Sequence, residues 1–369
     1  MSSTRSRPRD TLPVALAALV LGGAGAAARG QAISEFPLPG ATTVPGCVSA
    51  GAGGDDHLWS ADRGRNASES GIARISTAGE ITETLIQGVT LGPGVTLRVQ
   101  CVTPGPPDDG NVWFTLTENA FGQLGRIAPD GTATVFPTLI QSRLDGIVAG
   151  PDGNIWFTEG SAGKIGRATT HGTITNHYSI GVVSDFPQAI TVGPGPDADL
   201  WFTERDGGKI GRITTAGVLT EYVIPTPASS PQSITLGPDG ALWFTETVAN
   251  KIGRITTSGA ITEFPLPTAS AGPQVITLGP DGAAWFTESS SNRIGRITPD
   301  GEITEVVVPT ANSQPFGITT GPDGKMWFTE SRTNKIGQFD VPESVCGPGR
   351  GHAQVLTPAA ALACVANRS

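Results

Sequence analysis

Apolar and polar residues alternate in short runs along most of the chain, separated by turns rich in Gly, Pro and Asp. A period of two is typical of β-strands with one buried face. A representative unit runs through residues 232–236, a Gly-Pro-Asp-Gly turn, and then residues 241–245, 251–256 and 261–266. We interpret these runs as four antiparallel strands. The first is innermost and the last is an outer strand, closed by Pro267, because proline is tolerated at a sheet edge.

The unit recurs along the chain with a tryptophan at a fixed place in its second strand. The last four tryptophans are 42 residues apart, and the earlier gaps are 54, 43 and 45. A period in the low forties, built from short strands, is typical of a β-propeller. The sequence therefore predicts an all-β, seven-bladed β-propeller of four-stranded blades. The seven tryptophans are Trp59, Trp113, Trp156, Trp201, Trp243, Trp285 and Trp327.

The two ends of the repeat region complement each other. Residues 33–38 match residues 261–266, which form an outer strand, and no other strands of a blade precede them. The seventh repeat loses its pattern at Val341 and lacks an outer strand. Because an unpaired strand edge is unfavourable, we expect the N-terminal strand to complete the seventh blade and close the ring.

The N-terminus has the layout of a secretory signal. Arg5, Arg7 and Arg9 precede an apolar run at 12–20, and small residues follow. An uncleaved N-terminal anchor is the alternative. The expected division is a signal peptide at 1–32, the propeller at 33–340 and a Cys-containing tail at 341–369, in a secreted or periplasmic protein.

Charge limits the possible partners. The chain has a net charge of −9, and residues 1–32 carry four Arg and one Asp, so the exported chain would carry −12. Nucleic acids and anionic membranes require a basic surface. We therefore expect neither as a partner, no membrane span in the mature chain, and a monomer.

Four cysteines in an exported chain indicate disulfides, and four allow three pairings. Cys346 and Cys364 both follow the last repeat. Cys47 and Cys101 occupy equivalent places in the first two repeats. Local pairing predicts Cys47–Cys101 and Cys346–Cys364.

The phrases Trp-Phe-Thr-Glu, Asn-Lys-Ile-Gly-Arg-Ile and Ile-Thr-Glu-Phe-Pro-Leu-Pro resemble the virginiamycin B lyase (streptogramin B lyase) family over residues 33–340. The resemblance implies a seven-bladed propeller. It also implies opening of a cyclic depsipeptide by elimination, with Mg²⁺ polarising the substrate and a His base removing a proton.

The resemblance places the working His residues directly after Pro at the start of innermost strands. We call the residue at this position in each repeat the slot residue. A cation-binding Glu is expected two residues before one of them, and here that position holds Gln314. No slot residue is His, and Gln and Phe cannot accept a proton near neutral pH. The slot residues are Gly46, Gln100, Asp145, Gln188, Gln232, Gln274 and Phe316.

Other polar residues favour structural roles. We interpret the four His of the chain as surface or packing residues, because they do not cluster like metal ligands. The Glu of Trp-Phe-Thr-Glu recurs in most repeats, and we expect it to pair with the repeated Arg or Lys of the next strand. The His are His57, His171, His177 and His352, the Glu are Glu159, Glu204, Glu246, Glu288 and Glu330, and the Arg are Arg167, Arg212, Arg254 and Arg296.

Amide, carboxylate and aromatic groups at one channel mouth can bind a neutral polar ligand. The alternative, to which we give equal weight, is that the Gln residues only line a water-filled channel. The leading hypothesis is an exported propeller, without cofactor or metal, that binds a small polar ligand or a protein there. Its binding residues are Gln100, Asp145, Gln188, Gln232, Gln274, Gln314 and Phe316. One alternative is a Mg²⁺-dependent lyase or a hydrolase acting on a cyclic peptide or lactone and using Asp145 or a loop residue. Another is a structural interaction protein of the envelope.

Overall fold

The computed structural model describes residues 32–39, 44–63, 70–86, 97–118, 121–195 and 198–341. The expected signal sequence, the C-terminal tail with Cys346 and Cys364, and His352 lie outside these ranges. In the parts of the chain that are described, no helix has the length and hydrophobicity needed to cross a bilayer.

The first strands in chain order are β1 (Ile33–Pro37), β2 (Pro45–Ala50), β3 (His57–Asp62), β4 (Gly71–Ser76), β5 (Ile81–Leu85), β6 (Leu97–Pro104), β7 (Val112–Glu118), β8 (Phe121–Ile127) and β9 (Ala133–Ile140). They are followed by β10 (Leu144–Ala149), β11 (Ile155–Glu159), β12 (Lys164–Ala168), β13 (Ile174–Ser179), β14 (Pro187–Val192), β15 (Leu200–Glu204), β16 (Lys209–Ile213), β17 (Leu219–Val223), β18 (Pro231–Leu236) and β19 (Leu242–Glu246). The last are β20 (Lys251–Ile255), β21 (Ile261–Pro265), β22 (Pro273–Leu278), β23 (Ala284–Glu288), β24 (Arg293–Ile297), β25 (Ile303–Val307), β26 (Pro315–Thr320), β27 (Met326–Glu330) and β28 (Lys335–Phe339). Short 3₁₀ turns occur at Gly160–Ala162 and Val183–Asp185.

These strands form seven four-stranded antiparallel sheets, so the predicted seven-bladed propeller is confirmed. Blades 1 to 6 each use four consecutive strands, beginning with β2, β6, β10, β14, β18 and β22 as the innermost strands. Blade 7 has the order β1-β28-β27-β26, so the N-terminal strand closes the ring as predicted. In this blade Phe36 lies opposite Ile336 and stacks on Trp327, with ring centroids 5.8 Å apart.

The hydrophobic core consists of seven clusters, one at each interface between neighbouring blades. At the interface of blades 5 and 6, Trp243 of one blade and Phe286 of the next are both fully buried. Gly253 lies against Phe244, and a Cβ atom there would be 2.1 Å from the ring. The Gly of Lys-Ile-Gly-Arg-Ile is therefore required by close packing inside the blade.

Of the two expected partners of the repeated Glu, Arg and Lys, the structure places the Lys opposite it, and the pairing with Arg is wrong. Arg254 donates from Nε to Asp239 of the turn (2.5 Å), and its guanidinium lies 5.9 Å from the Trp243 ring. Asp239 also accepts a hydrogen bond from Trp243 Nε1. In the register of the two strands, Lys251 lies opposite Glu246, and Arg254 lies opposite Trp243. The repeated Arg thus orders the turn.

Candidate functional site

The slot residues converge on one cavity, as the sequence predicts for innermost strands that begin at the same end of the ring. The cavity has a volume of about 160 Å³, and we call it the mouth cavity. Gly46 is buried beside it and offers no side chain. Among the slot residues, the cavity is lined by Gln100, Asp145, Gln188, Gln232, Gln274 and Phe316.

A threonine hydroxyl fixes the backbone of each slot in most blades. In blade 5 the register shifts between Pro231 and Ile234, which turns Gln232 towards the mouth cavity. Thr245 Oγ1 accepts a hydrogen bond from Ser233 N–H (3.1 Å) and donates to the carbonyl oxygen of Gln274 in blade 6 (2.8 Å). The Thr of Trp-Phe-Thr-Glu therefore ties the slot of its own blade to the slot of the next.

Six interfaces carry such a bridge from a threonine to the next slot carbonyl. The donors are Thr115, Thr158, Thr203, Thr245, Thr287 and Thr329, and the acceptors are the carbonyl oxygens of Asp145, Gln188, Gln232, Gln274, Phe316 and Gly46.

Between blades 1 and 2 a disulfide takes the place of the threonine bridge. Ala61 occupies the threonine position of blade 1 and has no hydroxyl. Cys47 and Cys101 each directly follow a slot residue, and they are bonded, as the sequence predicted, with Cα atoms 4.9 Å apart. Both line the mouth cavity.

Among the described residues, Asp145 is the one carboxylate that lines the mouth cavity, and it is 4% exposed. Its Oδ1 atom is 2.6 Å from Nη2 of Arg143 and accepts a hydrogen bond from Nε2 of Gln188 (3.3 Å). Burial raises the pKa of Asp145, while Arg143 and Arg63 oppose that shift. Its Oδ2 atom is buried and has no hydrogen-bond partner among the described residues.

Arg63, a residue that the slot pattern does not include, also lines the mouth cavity. It follows β3, and its guanidinium lies 4.8 Å from the centroid of the Phe316 ring. A Cβ atom on Gly46 would lie 3.1 Å from Arg63 Nε. The missing side chain at slot 46 therefore leaves the space that Arg63 crosses.

A repeated position gives the signal that could have identified Arg63. The residue after Trp-Phe-Thr-Glu is Thr247 in blade 5, and its hydroxyl donates to Pro273 of the next blade. In blade 4 the same position holds Arg205, which donates from Nη1 to Gln188 Oε1 (3.4 Å). Reading this position across repeats would have shown two arginines, Arg63 and Arg205, where small hydroxyl residues are usual.

Gln314 is the predicted binding residue that the structure does not bring into the mouth cavity. It has a left-handed backbone (φ 52°), its side chain is exposed, and it is not among the lining residues. The equivalent position holds Arg98 in blade 2 and Arg143 in blade 3. The family resemblance implies a Glu that binds a metal cation at this position in one blade. In blades 2 and 3 of this chain, a positively charged Arg side chain stands there instead.

The donors around the mouth cavity do not fit Mg²⁺, which proteins bind mainly through carboxylates and other oxygens. The described lining offers one carboxylate, which already pairs with Arg143, and its amide oxygens, those of the Gln residues, carry no charge. Within the described ranges, two other acidic groups are close enough to hold a metal, and both lie away from this lining. In one of them Lys209 Nζ is 2.8 Å from Asp185 and 3.1 Å from Glu221, so a lysine supplies the positive charge.

The described His residues lie outside the lining of the mouth cavity. His57 Nδ1 is 2.8 Å from Asp55, and His177 Nδ1 is 2.5 Å from Glu159. His171 is exposed in a turn. Their contacts agree with surface and packing roles.

Comparisons with known proteins identify relatives of the whole ring. The sequence model of the Virginiamycin B lyase family matches residues 31–271 and 192–346. A selenomethionine-substituted virginiamycin B lyase from Staphylococcus aureus is 39% identical with a TM-score of 0.74, over 84% of this chain and 99% of that chain.

A catalytically inactive variant of the Staphylococcus aureus enzyme with quinupristin gives the same identity, coverage and TM-score. A streptogramin B lyase structure is 38% identical with a TM-score of 0.73, over 84% of this chain and 98% of that chain. No curated protein sequence matches the chain.

Proposed function

The chain belongs to the virginiamycin B lyase family, and we propose that it is an exported propeller that binds a small polar ligand in the mouth cavity and does not perform the family's elimination reaction. The observation that carries the proposal is the identity of the slot residues. Where the resemblance implies a His base, the slots carry Gln, Asp, Phe and Gly. The amides of Gln100, Gln232 and Gln274 can each donate and accept hydrogen bonds towards a ligand.

Loss of the base has a large expected effect on the reaction. A positioned general base contributes about 10²–10⁴-fold to a proton abstraction. Gln232 and Gln274 cannot take this role because an amide does not ionise near neutral pH. Binding does not require proton transfer, so the mouth cavity can retain a ligand without turning it over.

Export is part of the proposal. The basic and apolar N-terminal sequence is typical of a secretory signal. The Cys47–Cys101 disulfide is compatible with an oxidising compartment. The proposed location is therefore secreted or periplasmic, and the partner is a small molecule or a protein at the mouth cavity.

The test mixes the purified exported chain with Mg²⁺ and a streptogramin B antibiotic and follows ring opening by mass spectrometry. We expect no turnover above the rate without protein. The Staphylococcus aureus lyase under the same conditions serves as the positive control. Ring opening by this chain would contradict the proposal.

A second candidate function is favoured by Asp145. Its Oδ2 atom is unpartnered within the described residues, and its pKa is raised by burial, as is expected of a carboxylate that accepts a proton. In this case the chain is a lyase or hydrolase acting on a cyclic lactone. An activity that Asp145→Asn abolishes would favour this function over binding alone.

A further inference from the structure

Arg63 brings a cation into the mouth cavity, and no carboxylate of the described residues forms a salt bridge with it. Its backbone N–H donates to the carbonyl of Val44, which holds the start of the side chain beside slot 46. Its Nε atom is buried and has no hydrogen-bond partner among the described residues. An unpaired buried guanidinium donor is costly unless a ligand satisfies it.

The charge of Arg63 persists at neutral pH. Burial, with the neighbouring guanidiniums of Arg143 and Arg98, lowers the pKa of Arg63 to about 10. This value still lies well above neutral pH, so the side chain stays protonated. Asp145 opposes this shift, and the repulsion from Arg143 and Arg98 is what a further anion would relieve.

Arg143 adds a second positive charge beside the first. It pairs with Asp145, but its Nε atom is also buried and without a partner in the described chain. Arg98, with an exposed side chain, contributes to the same potential. Among the described residues of the cavity lining, Asp145 is the one acid and Arg63 the one guanidinium, and Arg143 and Arg98 add their positive charges from outside the lining.

Arg205 is already paired and adds no free positive charge to this group. It makes a two-point pair with Asp206, at 2.7 Å and 2.9 Å, and its guanidinium lies 4.0 Å from the Phe186 ring. Its contact with Gln188 instead fixes the amide, which donates to Asp145 in turn. Three guanidiniums, those of Arg63, Arg143 and Arg98, thus lie in or beside a cavity whose described lining has one carboxylate, in a protein whose total charge is −9.

We infer that the ligand of the mouth cavity is a small organic acid, whose carboxylate binds Arg63 beside Arg143 and whose neutral part contacts the amides of Gln232 and Gln274. The inference rests on the proposed ligand-binding function. A guanidinium fork matches a carboxylate in geometry and charge. A cavity of about 150 Å³ holds a molecule the size of benzene, so the volume here suits a compact acid.

The experiment uses acids paired with their neutral amides of equal size, namely benzoate with benzamide and acetate with acetamide. Calorimetry and protein-observed NMR measure binding to the full exported chain at low and high salt. We expect an acid of the panel to bind about tenfold more tightly than its amide, a difference of about 1.4 kcal/mol. The preference should decrease with salt, because exposed and half-buried charges are screened.

Three variants separate the effect of charge from other causes. Arg63→Gln should bring the acid-to-amide ratio close to one. Asp145→Asn should raise the affinity for the acid, because it removes a competing negative charge and frees Arg143. Lys325→Gln, which removes a half-exposed cation paired with Asp340 outside the cavity lining, should leave the ratio unchanged.

Three outcomes would overturn the inference: amides that bind as tightly as their acids, weaker acid binding in Asp145→Asn, or no acid bound at concentrations up to about 10 mM. Tight amide binding alone would leave the proposed ligand-binding function standing. Turnover of a streptogramin B would contradict that function without changing the acid-to-amide ratio.

Discussion

Cys47 and Cys101 are joined by a disulfide at the one interface of the ring where the described residues show no threonine hydroxyl between neighbouring slots. The other six interfaces each have a Thr hydroxyl that donates to the slot carbonyl of the next blade, as Thr245 does to Gln274. Ala61 replaces the seventh threonine. The covalent bond and the hydrogen bonds are therefore alternative solutions to one problem, the fixing of adjacent innermost strands.

This relationship predicts a rescue. Replacing both Cys47 and Cys101 with Ala should lower the free energy of unfolding by about 2–4 kcal/mol, because the bond closes a 54-residue separation. Adding Ala61→Thr to that variant should restore part of the loss by supplying the missing hydroxyl. Urea denaturation of the three proteins measures both effects. No gain from Ala61→Thr would mean that the disulfide does not replace a bridge.

The threonine bridge itself can be tested in blade 5. Thr245→Val keeps the shape but leaves the N–H of Ser233 and the carbonyl of Gln274 without their shared partner. We expect a loss of about 1–3 kcal/mol in the free energy of unfolding and faster amide exchange at Ser233. Thr245→Ser retains the hydroxyl and is the matched control. Equal stability of the Val and Ser variants would show that the bridge does not stabilise the ring.

Because the N-terminal strand closes the ring, we expect its aromatic contact in blade 7 to stabilise the fold as much as the equivalent contact in blade 5. Phe36 stacks on Trp327 as Phe264 stacks on Trp243, at 5.8 Å and 5.6 Å. Phe36→Ala and Phe264→Ala should therefore cost similar amounts, about 2–4 kcal/mol each, because both rings are half-buried. Chemical denaturation compares them. A much smaller effect of Phe36→Ala would show that the N-terminal strand contributes little to closure.

A pH dependence follows from the buried Glu246. Burial, together with the nearby Glu263, raises the pKa of Glu246 from 4.5 to about 8. Between these values the folded state holds a proton that the unfolded state has released, so stability falls as pH rises through this window.

We expect Glu246→Gln, which has no proton to lose, to show a flatter decline of the melting temperature between about pH 5 and 8. Thermal melts of both proteins across that range measure the difference. Parallel curves would argue against a raised pKa at this residue.

The architecture could be predicted from sequence because each repeat has the same order of strand and turn residues. The match between 33–38 and 261–266 was sufficient to predict the closing strand, and the equivalent positions of Cys47 and Cys101 were sufficient to predict their bond. These inferences needed only the order of residues within a repeat, which the fold converts directly into neighbouring positions.

The charged part of the site could not be predicted in the same way. Arg63 reaches the mouth cavity from the end of β3, and its path depends on the space left by Gly46 and on the face of Phe316. The Glu–Arg pairing failed for a related reason. Facing residues of antiparallel strands are set by register, and register places Lys251, not Arg254, opposite Glu246.

The threonine bridges use only backbone atoms of the slots, and this separates the stability of the ring from the chemistry of its mouth. Gly, Gln, Asp and Phe all occupy equivalent slots while their carbonyl oxygens accept the same hydrogen bond. A mutation at a slot can therefore change what the protein recognises without weakening its frame. Such a scaffold can diversify by single substitutions, and a combinatorial library over these positions should yield mostly folded proteins.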